Sequence, residues 1–353
     1  MTDLKTHSPL PALTIAIPTW NRHEYLRQNL RQMKAEIDTV GHHLVEVLVS
    51  DNCSSDETPD VVREAQDAGL PIRYVRNAEN LGWALNFAQC VDLANGKYLL
   101  LFGDDDVLCS GALALLVELL ISGDPGVICL RPYGYDKDYK LENPGGEGRV
   151  YQFSDASRFL LRISQYFTLT SALVINRTML RDVDSRQFVH TNLATFHLVL
   201  RAALAAKSNL YVEKFLVASK RQNSSSYDYY KVFVDEFWSI IDQHMQYGLR
   251  NDAIRSLETL RLFTYYPFYM LDLRTSGLGD LKGTYQALDA RFHGRMLFKY
   301  WISPILLLPR PFAIVWGAFA MTLGRLARGD FRRGITFIQS RVARLLQGSR
   351  REL

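Results

Sequence analysis

Over the first 130 residues short β-rich runs alternate with helical ones, and no other feature of the chain limits its fold as tightly. Leu13–Ile17, Val45–Val49, Ile72–Val75, Tyr98–Phe102 and Val127–Leu130 read as strands. Between them, roughly Glu24–Glu36, Glu57–Ala68, Ala84–Leu93 and Ala112–Ile121 carry apolar residues at three- and four-residue spacing, which predicts helices. This is a βαβ series. It predicts an α/β domain with a mostly parallel sheet, helices on both faces and right-handed crossovers. Ligands of such a sheet gather outside the carboxyl ends of the strands.

Beyond Leu130 the pattern changes. A Gly/Pro-rich stretch (Asn143–Gly148) leads to a helix near Ala156–Ile163 and a strand at Ala172–Asn176. From about Tyr229 to Tyr300 the spacing is helical and rich in aromatics, among them Phe233, Phe237, Trp238, Phe263, Tyr265, Tyr266, Phe268 and Tyr269, which read as core packing. Residues 301–323 are apolar but broken by Pro304, Pro309, Arg310 and Pro311. The unbroken run Phe312–Leu323 has 12 residues, short of the roughly 20 that cross a bilayer as a helix. Eight arginines from Arg325 onward face only Asp330 and Glu352, so the formal charge of +4 is a property of the tail. An apolar, Trp-containing segment before an arginine-rich amphipathic helix (Phe331–Leu346) predicts attachment to an anionic membrane surface, with no nucleic-acid partner. A buried C-terminal hairpin is the alternative.

Cys53, Cys90, Cys109 and Cys129 lie far apart, with no CxxC pair and no His at ligand spacing. Neither a disulfide framework nor a zinc site is expected, and a reducing cytoplasmic setting fits. The first twenty residues carry Asp3, Lys5 and prolines in place of a secretory signal.

Two strand ends draw attention first: Pro18-Thr19-Trp20-Asn21-Arg22 after the first strand, and Asp51-Asn52-Cys53-Ser54-Ser55-Asp56 after the second. A carboxylate there can accept from a base N–H or a ribose hydroxyl, and an aromatic such as Trp20 can cover a nucleobase. Ser55 and Asp56 read instead as caps of the next helix. The fourth strand runs into Gly103-Asp104-Asp105-Asp106. Three adjacent carboxylates repel one another unless a cation neutralises them, and Mg²⁺ or Mn²⁺ shared with substrate phosphates is the usual remedy. Such a cation would neutralise the charge of a departing diphosphate. A solvated, helix-capping turn is the structural alternative.

PTWNR, SDNCSSDET, RNAENLGWALNFA and GKYLLLFGDDDVL, in that order, resemble the family 2 glycosyltransferases with their GT-A fold, over about residues 12–130. The resemblance implies that Pro18, Thr19, Trp20 and Asn21 line the base pocket and that Asp51 binds nucleobase or ribose. It puts Asp104, Asp105 and Asp106 at the DXD position, where ribose and Mn²⁺ or Mg²⁺ are held, and brings Asn80, Gly82 and Asn86 to the donor; Asn80 and Gly82 read equally as turn-formers. With it, the chain divides into an expected GT-A domain over 1–225 (donor half 12–130, acceptor half 131–225), and the patterns above add a helical region over 226–300 and a membrane-surface segment over 301–353.

The GDDD form and the His-containing second half resemble O-antigen-type, abequosyltransferase-like enzymes more narrowly. That implies a nucleoside-diphosphate deoxy- or dideoxyhexose donor, a lipid-linked saccharide acceptor and inversion, on the cytoplasmic face of the membrane. Inversion needs one base to take the acceptor proton. The family's acidic pair is absent; His190 and His197 stand in that region, with Asp182 and Asp184 as outside candidates. Lys220–Tyr227 reads either as a basic lid over the diphosphate or as an ordinary connector. The rivals are a nucleotidyltransferase, which lacks its Gly-rich phosphate loop here, a glycoside hydrolase, and a non-catalytic membrane scaffold.

Overall fold

The computed structural model describes residues 10–221, 231–276 and 280–327. The chain divides into two compact units, Met1–Ser226 with Ser239–Arg250, and Tyr227–Trp238 with Asn251–Leu353.

In the first unit the elements run β1 (Leu13–Thr19), α1 (His23–Val40), β2 (Val45–Asp51), α2 (Thr58–Asp67), β3 (Ile72–Arg76), α3 (Trp83–Leu93), β4 (Tyr98–Leu101), β5 (Val107–Leu108), α4 (Ala112–Ser122), β6 (Val127–Tyr135), β7 (Val150–Phe153), α5 (Ala156–Ile163), β8 (Leu173–Asn176), α6 (Ala194–Ala205) and β9 (Asn209–Lys220). The sheet order is β3-β2-β1-β4-β8-β6-β9-β5, with β7 on β9. β1 pairs in parallel with β2 and β4, and β2 with β3, as the alternation predicts. Beyond β4 the sheet becomes mixed. β8 lies antiparallel between β4 and β6, β9 runs parallel to β6, and β5 and β7 pair antiparallel with β9. The run at Val127–Leu130 therefore does not extend the parallel series directly; all four residues of β8 are buried in the position beside β4.

Both faces of the parallel half are covered. Leu13, Ile15 and Ile17 pack with Leu26, Leu30 and Met33 of α1, while Ala16, Leu48, Leu99 and Leu101 pack with Phe87 and Cys90 of α3. That alternation is the two-residue period of a strand. Its register sets Thr19 opposite Asp51, and the Phe102 amide continues the ladder to the Ala16 carbonyl at 2.8 Å. β4 ends opposite Ala16, so the acidic loop that follows it comes level with the carboxyl ends of β1 and β2.

Glu36 fixes how α1 meets α4. Its carboxylate, 3 % exposed, accepts from the amides of Gly111 and Leu113 at 3.1 Å each, at the N-terminus of α4. An acid there satisfies orphan amides and complements the helix dipole.

The second unit contains α8 (Asn251–Leu260), α9 (Tyr266–Ser276), α10 (Leu281–Phe292), α11 (Ser303–Leu307) and α12 (Arg310–Leu326), while α7 (Phe237–Gln243) begins in it and ends in the first unit. Of the eight aromatics expected as core packing, Phe237, Trp238 and Tyr266 are buried, while Phe233, Phe263, Tyr265, Phe268 and Tyr269 are only partly so. The Arg261 guanidinium lies 3.8 Å from the Phe237 ring and 4.0 Å from the Tyr265 ring. α12 packs inward through Ala313, Gly317, Ala320, Met321 and Gly324. A Cβ on Gly317 would meet Leu271 at 3.1 Å and Ile305 at 3.3 Å, so the close approach to α9 and α11 uses its missing side chain. Among the described residues no helix is long and apolar enough to cross a membrane. The expected helix at Phe331–Leu346 and most of the basic loop, from Gln222, lie outside the described residues.

Glu36→Ala is expected to cost about 1–2 kcal/mol of unfolding free energy, in line with the loss of other helix caps. Urea melts should show a lower midpoint at an unchanged slope; an unchanged midpoint would remove the capping role.

Candidate active site at the strand ends

Six chain segments converge on the acidic loop after β4. Thr19 at the end of β1 donates to Asp104 Oδ2 at 2.8 Å. Arg22, in the following loop, forks across two carboxylates, with Nη1 2.8 Å from Asp104 Oδ1 and Nη2 2.7 Å from Asp105 Oδ2. Asn29 of α1 donates to the carbonyls of Gly103 at 3.0 Å and Asp106 at 2.9 Å. The Gly103 amide donates to Ser171 Oγ at 2.8 Å, Tyr135 of β6 donates to the Asp105 carbonyl at 3.2 Å, and the Lys220 amide at the end of β9 donates to Asp106 Oδ1 at 3.2 Å. A Cβ on Gly103 would meet Asp105 Oδ1 at 3.0 Å and Asp106 Oδ2 at 3.1 Å, so glycine lets the acids fold back over their own loop.

The electrostatics are unfavourable despite these contacts. Burial pushes the Asp104 carboxyl up to about 7, with Arg22 pulling against it and the Asp105 charge adding to it. Burial and the Asp105 charge raise Asp106 as well. One guanidinium does not neutralise three carboxylates. All the donors are hard oxygens, the chemistry of a Mg²⁺ or Mn²⁺ site, so the residues fit such a cation. Among the described residues, however, no group of three His, Cys, Asp or Glu side chains is arranged around a metal position as the loop stands, with Arg22 holding two of the acids.

The neighbouring loops are tied to one another. The Asn21 amide donates to Ser54 Oγ at 2.9 Å, and the Ser55 amide donates to Asn21 Oδ1 at 2.7 Å. Asn21 (φ 53°) and Cys53 (φ 65°) are the non-glycine residues with positive φ among those described. Such backbone recurs at functional sites and is held there by its surroundings. Asp56 accepts from the amide and hydroxyl of Thr58 and from His23; burial opposes these bonds, which bring its carboxyl down to about 2. Asp56 thus holds the first amide of α2 from one residue before the N-cap position, Glu57, whereas Ser55, also expected to cap, bonds to Asn21 instead.

Asp51 is fully buried. Its Oδ1 accepts from the Ser54 amide at 2.8 Å, and its Oδ2 from Tyr74 Oη at 2.6 Å with Arg76 Nε 3.4 Å away. At the end of β1, Trp20 is half exposed, Pro18 is partly buried, and Thr19 is committed to Asp104. Asn80 and Gly82 are exposed, with Gly82 at φ 80°. Asn80 accepts from Asn52 and from the Gly82 amide. Asn86 is buried with its amide engaged by Ser50 and Asn77, so it braces the loop.

The two histidines differ. His190 is exposed on the turn before α6. His197, on α6, is 2 % exposed and stacks on Phe188 with ring centroids 4.0 Å apart and planes 9° apart. Burial, with His244 (ring centroids 5.3 Å apart) and His190 adding to it, pulls the His197 imidazole down to about 3. The ordinary pKa expected of a base near neutrality does not apply to His197. Asp184 accepts from the Arg186 amide as a local cap, and Asp182 is exposed.

Arg22, Tyr74 and Arg76 were not singled out by sequence reasoning. For Arg22 the signal was present: it closes the same PTWNR run whose strand lies beside the acidic one. A cleft of about 470 Å³ on the flank of α1, lined by Glu24, Arg27, Gln28, Arg31, Gln32, Tyr139 and Lys140, takes in none of these residues.

Comparison with known proteins agrees with the geometry. The family described as "Glycosyl transferase family 2" matches residues 14–187. An abequosyltransferase of Salmonella typhimurium is 31 % identical over 188 residues, 49 % of this chain and 55 % of that protein. A GalNAc(5)-diNAcBac-PP-undecaprenol beta-1,3-glucosyltransferase of Campylobacter jejuni is 32 % identical over 110 residues, 31 % of this chain and 34 % of that protein. The match thus spans about half the length of the first relative and a third of the second. Among solved structures, S. aureus TarS 1–349 is similar with a TM-score of 0.57 at 16 % identity, covering 90 % of this chain and 91 % of that one. A Pyrobaculum calidifontis mannosyltransferase, solved with GDP-Man and Mn²⁺, has a TM-score of 0.53 at 15 % identity, covering 90 % and 87 %. These likenesses show the GT-A fold.

The buried His197 has a consequence for pH. Its folded pKa of about 3 lies below the ordinary 6.5, so between those values the unfolded chain binds more protons and stability falls as pH drops. His197→Phe is expected to keep the stack on Phe188 and to flatten the loss of melting temperature between pH 6.5 and pH 4.5 (limits set from the ordinary His pKa of about 6.5). Parallel wild-type and variant curves would show that His197 does not titrate this way.

Proposed function

The chain belongs to glycosyl transferase family 2 through residues 14–187, and from that premise we propose that it moves a sugar, with inversion, from a nucleoside-diphosphate sugar to a hydroxyl of a lipid-linked saccharide. The observation that carries the reading is the Thr19–Arg22–Asp104–Asp105 cluster at the carboxyl ends of adjacent parallel strands, where Thr19 pairs with Asp51. The two relatives, one an abequosyltransferase and one named for an undecaprenol-linked substrate, support a deoxy- or dideoxyhexose donor and a lipid-linked acceptor in surface polysaccharide synthesis.

On this reading Pro18, Trp20 and Asn21 line the nucleobase side, with the half-exposed Trp20 ring against the base. Asp51, oriented by Tyr74 and Arg76, accepts from base or ribose, and Asn80 and Gly82 approach the donor from the loop before α3 while Asn86 holds that loop. Asp104 serves the ribose. Asp104, Asp105 and Asp106 would hold Mn²⁺ or Mg²⁺, which when bound supplies Lewis-acid neutralisation of the leaving diphosphate. Arg22 occupies oxygens of Asp104 and Asp105, so with a cation held there its guanidinium would be free to pair with a phosphate.

In the transfer itself the acceptor oxygen forms a bond to the anomeric carbon as the bond to the diphosphate breaks, and the acceptor proton passes to a base. Of the two candidate bases, His190 has the exposed ring and His197 the sealed one, so His190 takes that role here. The site of action is the cytoplasmic face of the membrane, reached through the C-terminal apolar and basic segments.

The test is a panel of UDP-, dTDP-, CDP- and GDP-sugars assayed for binding and turnover with Mn²⁺ or Mg²⁺. One donor class is expected to be turned over only with metal, and Asp105→Asn and Asp106→Asn to lose about 100-fold or more, the scale of removing a preorganised charge-stabilising group. Turnover of none of them would favour a scaffold that keeps the fold without the reaction.

A further inference from the structure

The inner face of α12 is closed by Ala313, Gly317, Ala320, Met321 and Gly324, yet its outer face is apolar as well. Phe312 is 66 % exposed, Val315 71 % and Phe319 50 %, and Leu326 continues the line at 39 %. Leu307 and Leu308, just before the helix, are exposed too. The spacing of three, four and seven residues puts the four helical side chains on one stripe, about 20 Å long at 1.5 Å per residue. The exposed Thr322 lies on the same stripe between Phe319 and Leu326, its hydroxyl turned back to the Ala318 carbonyl, and an exposed apolar patch of this kind marks an interaction surface.

We propose that this stripe lies in the headgroup region of an anionic bilayer, with α12 parallel to the membrane plane. The inference rests on the membrane reading above and assigns the residues that enter the lipid. Charge decides the occupant. Arg310 opens the helix, Arg325 stands in its last turn, and the sequence continues with Arg328, Arg332, Arg333, Arg341 and Arg344. A second copy packed on the stripe would bring two such arginine-rich sequences together, whereas anionic headgroups accommodate the apolar face and the positive charge at once. Trp316, whose indole donates to the Trp301 carbonyl at 3.1 Å, packs beside Phe319, supplying the amphipathic aromatics suited to an interface.

The experiment is flotation of the full chain with phosphatidylcholine vesicles, with and without phosphatidylglycerol, comparing wild type with Phe312→Ser/Val315→Ser/Phe319→Ser. The positions are exposed, and an unchanged melting temperature confirms that the variant is folded. Wild type is expected to float with the anionic vesicles and the variant to partition at least about tenfold less, as loss of buried apolar side chains requires. Donor turnover in solution should be equal in the two. A variant that floats like wild type overturns the stripe while leaving membrane attachment through the arginines intact. Wild type that fails to float with either vesicle overturns both. Light scattering that shows a wild-type dimer and a monomeric variant, without vesicle binding, assigns the stripe to a second copy instead.

Discussion

Two buried carboxylates side by side resist both their mutual repulsion and the loss of their water, and Asp104 and Asp105 are tolerable after β4 because the Arg22 guanidinium forks across them. The compensation is incomplete. Asp106 adds a third negative charge met by the Lys220 backbone amide, and both Asp104 and Asp106 keep raised pKa values. The loop is held in this state by Asn29, Tyr135 and Ser171, which come from three different elements. On the function proposed above, this oxygen-lined loop, short of positive charge, is where a cation and a phosphate would take the place of Arg22.

The rest of the fold serves that loop by alignment. Parallel pairing in register brings Thr19 opposite Asp51, and the ladder from Ala16 to Phe102 brings the acidic loop to the same level. The loops after β1 and β2 are then fastened through Asn21, Ser54 and Ser55, with positive φ at Asn21 and Cys53 marking where the backbone is bent to meet the site. A shift in any one of the three strands would misplace Asp51 against Asp104.

Much of this was legible in the sequence because the parallel half is built from local signals. Apolar strands of the right length, helices with clear spacing and acids at strand ends located β1 to β4, α1 to α4 and α5, whose Ala156–Ile163 bounds agree with the structure. The mixed half was less legible because strand partners are not a local property. β5 is two residues long, β7 follows an irregular stretch, and β9 alternates poorly, with Glu213 and Lys214 in its middle. Nothing in Leu173–Asn176 says that it will lie antiparallel beside β4. The burial of His197 under Phe188 and the pairing of Arg22 with two acids likewise depend on chain segments far apart in sequence. At the C-terminus the sequence offered a surface segment or a packed hairpin, and α12 has both characters, one face in contact with α9 and α11 and the other exposed.

The central claim is that the acidic loop exchanges its arginine for a divalent cation and a diphosphate. A crystal structure grown with Mn²⁺ and a nucleoside diphosphate, with data collected for manganese anomalous scattering, tests it most directly. The account predicts an anomalous peak at the oxygens of Asp104 to Asp106, with Arg22 turned from these acids toward the diphosphate. A diphosphate bound elsewhere, with no peak at the loop and Arg22 still paired to Asp104 and Asp105, would contradict it.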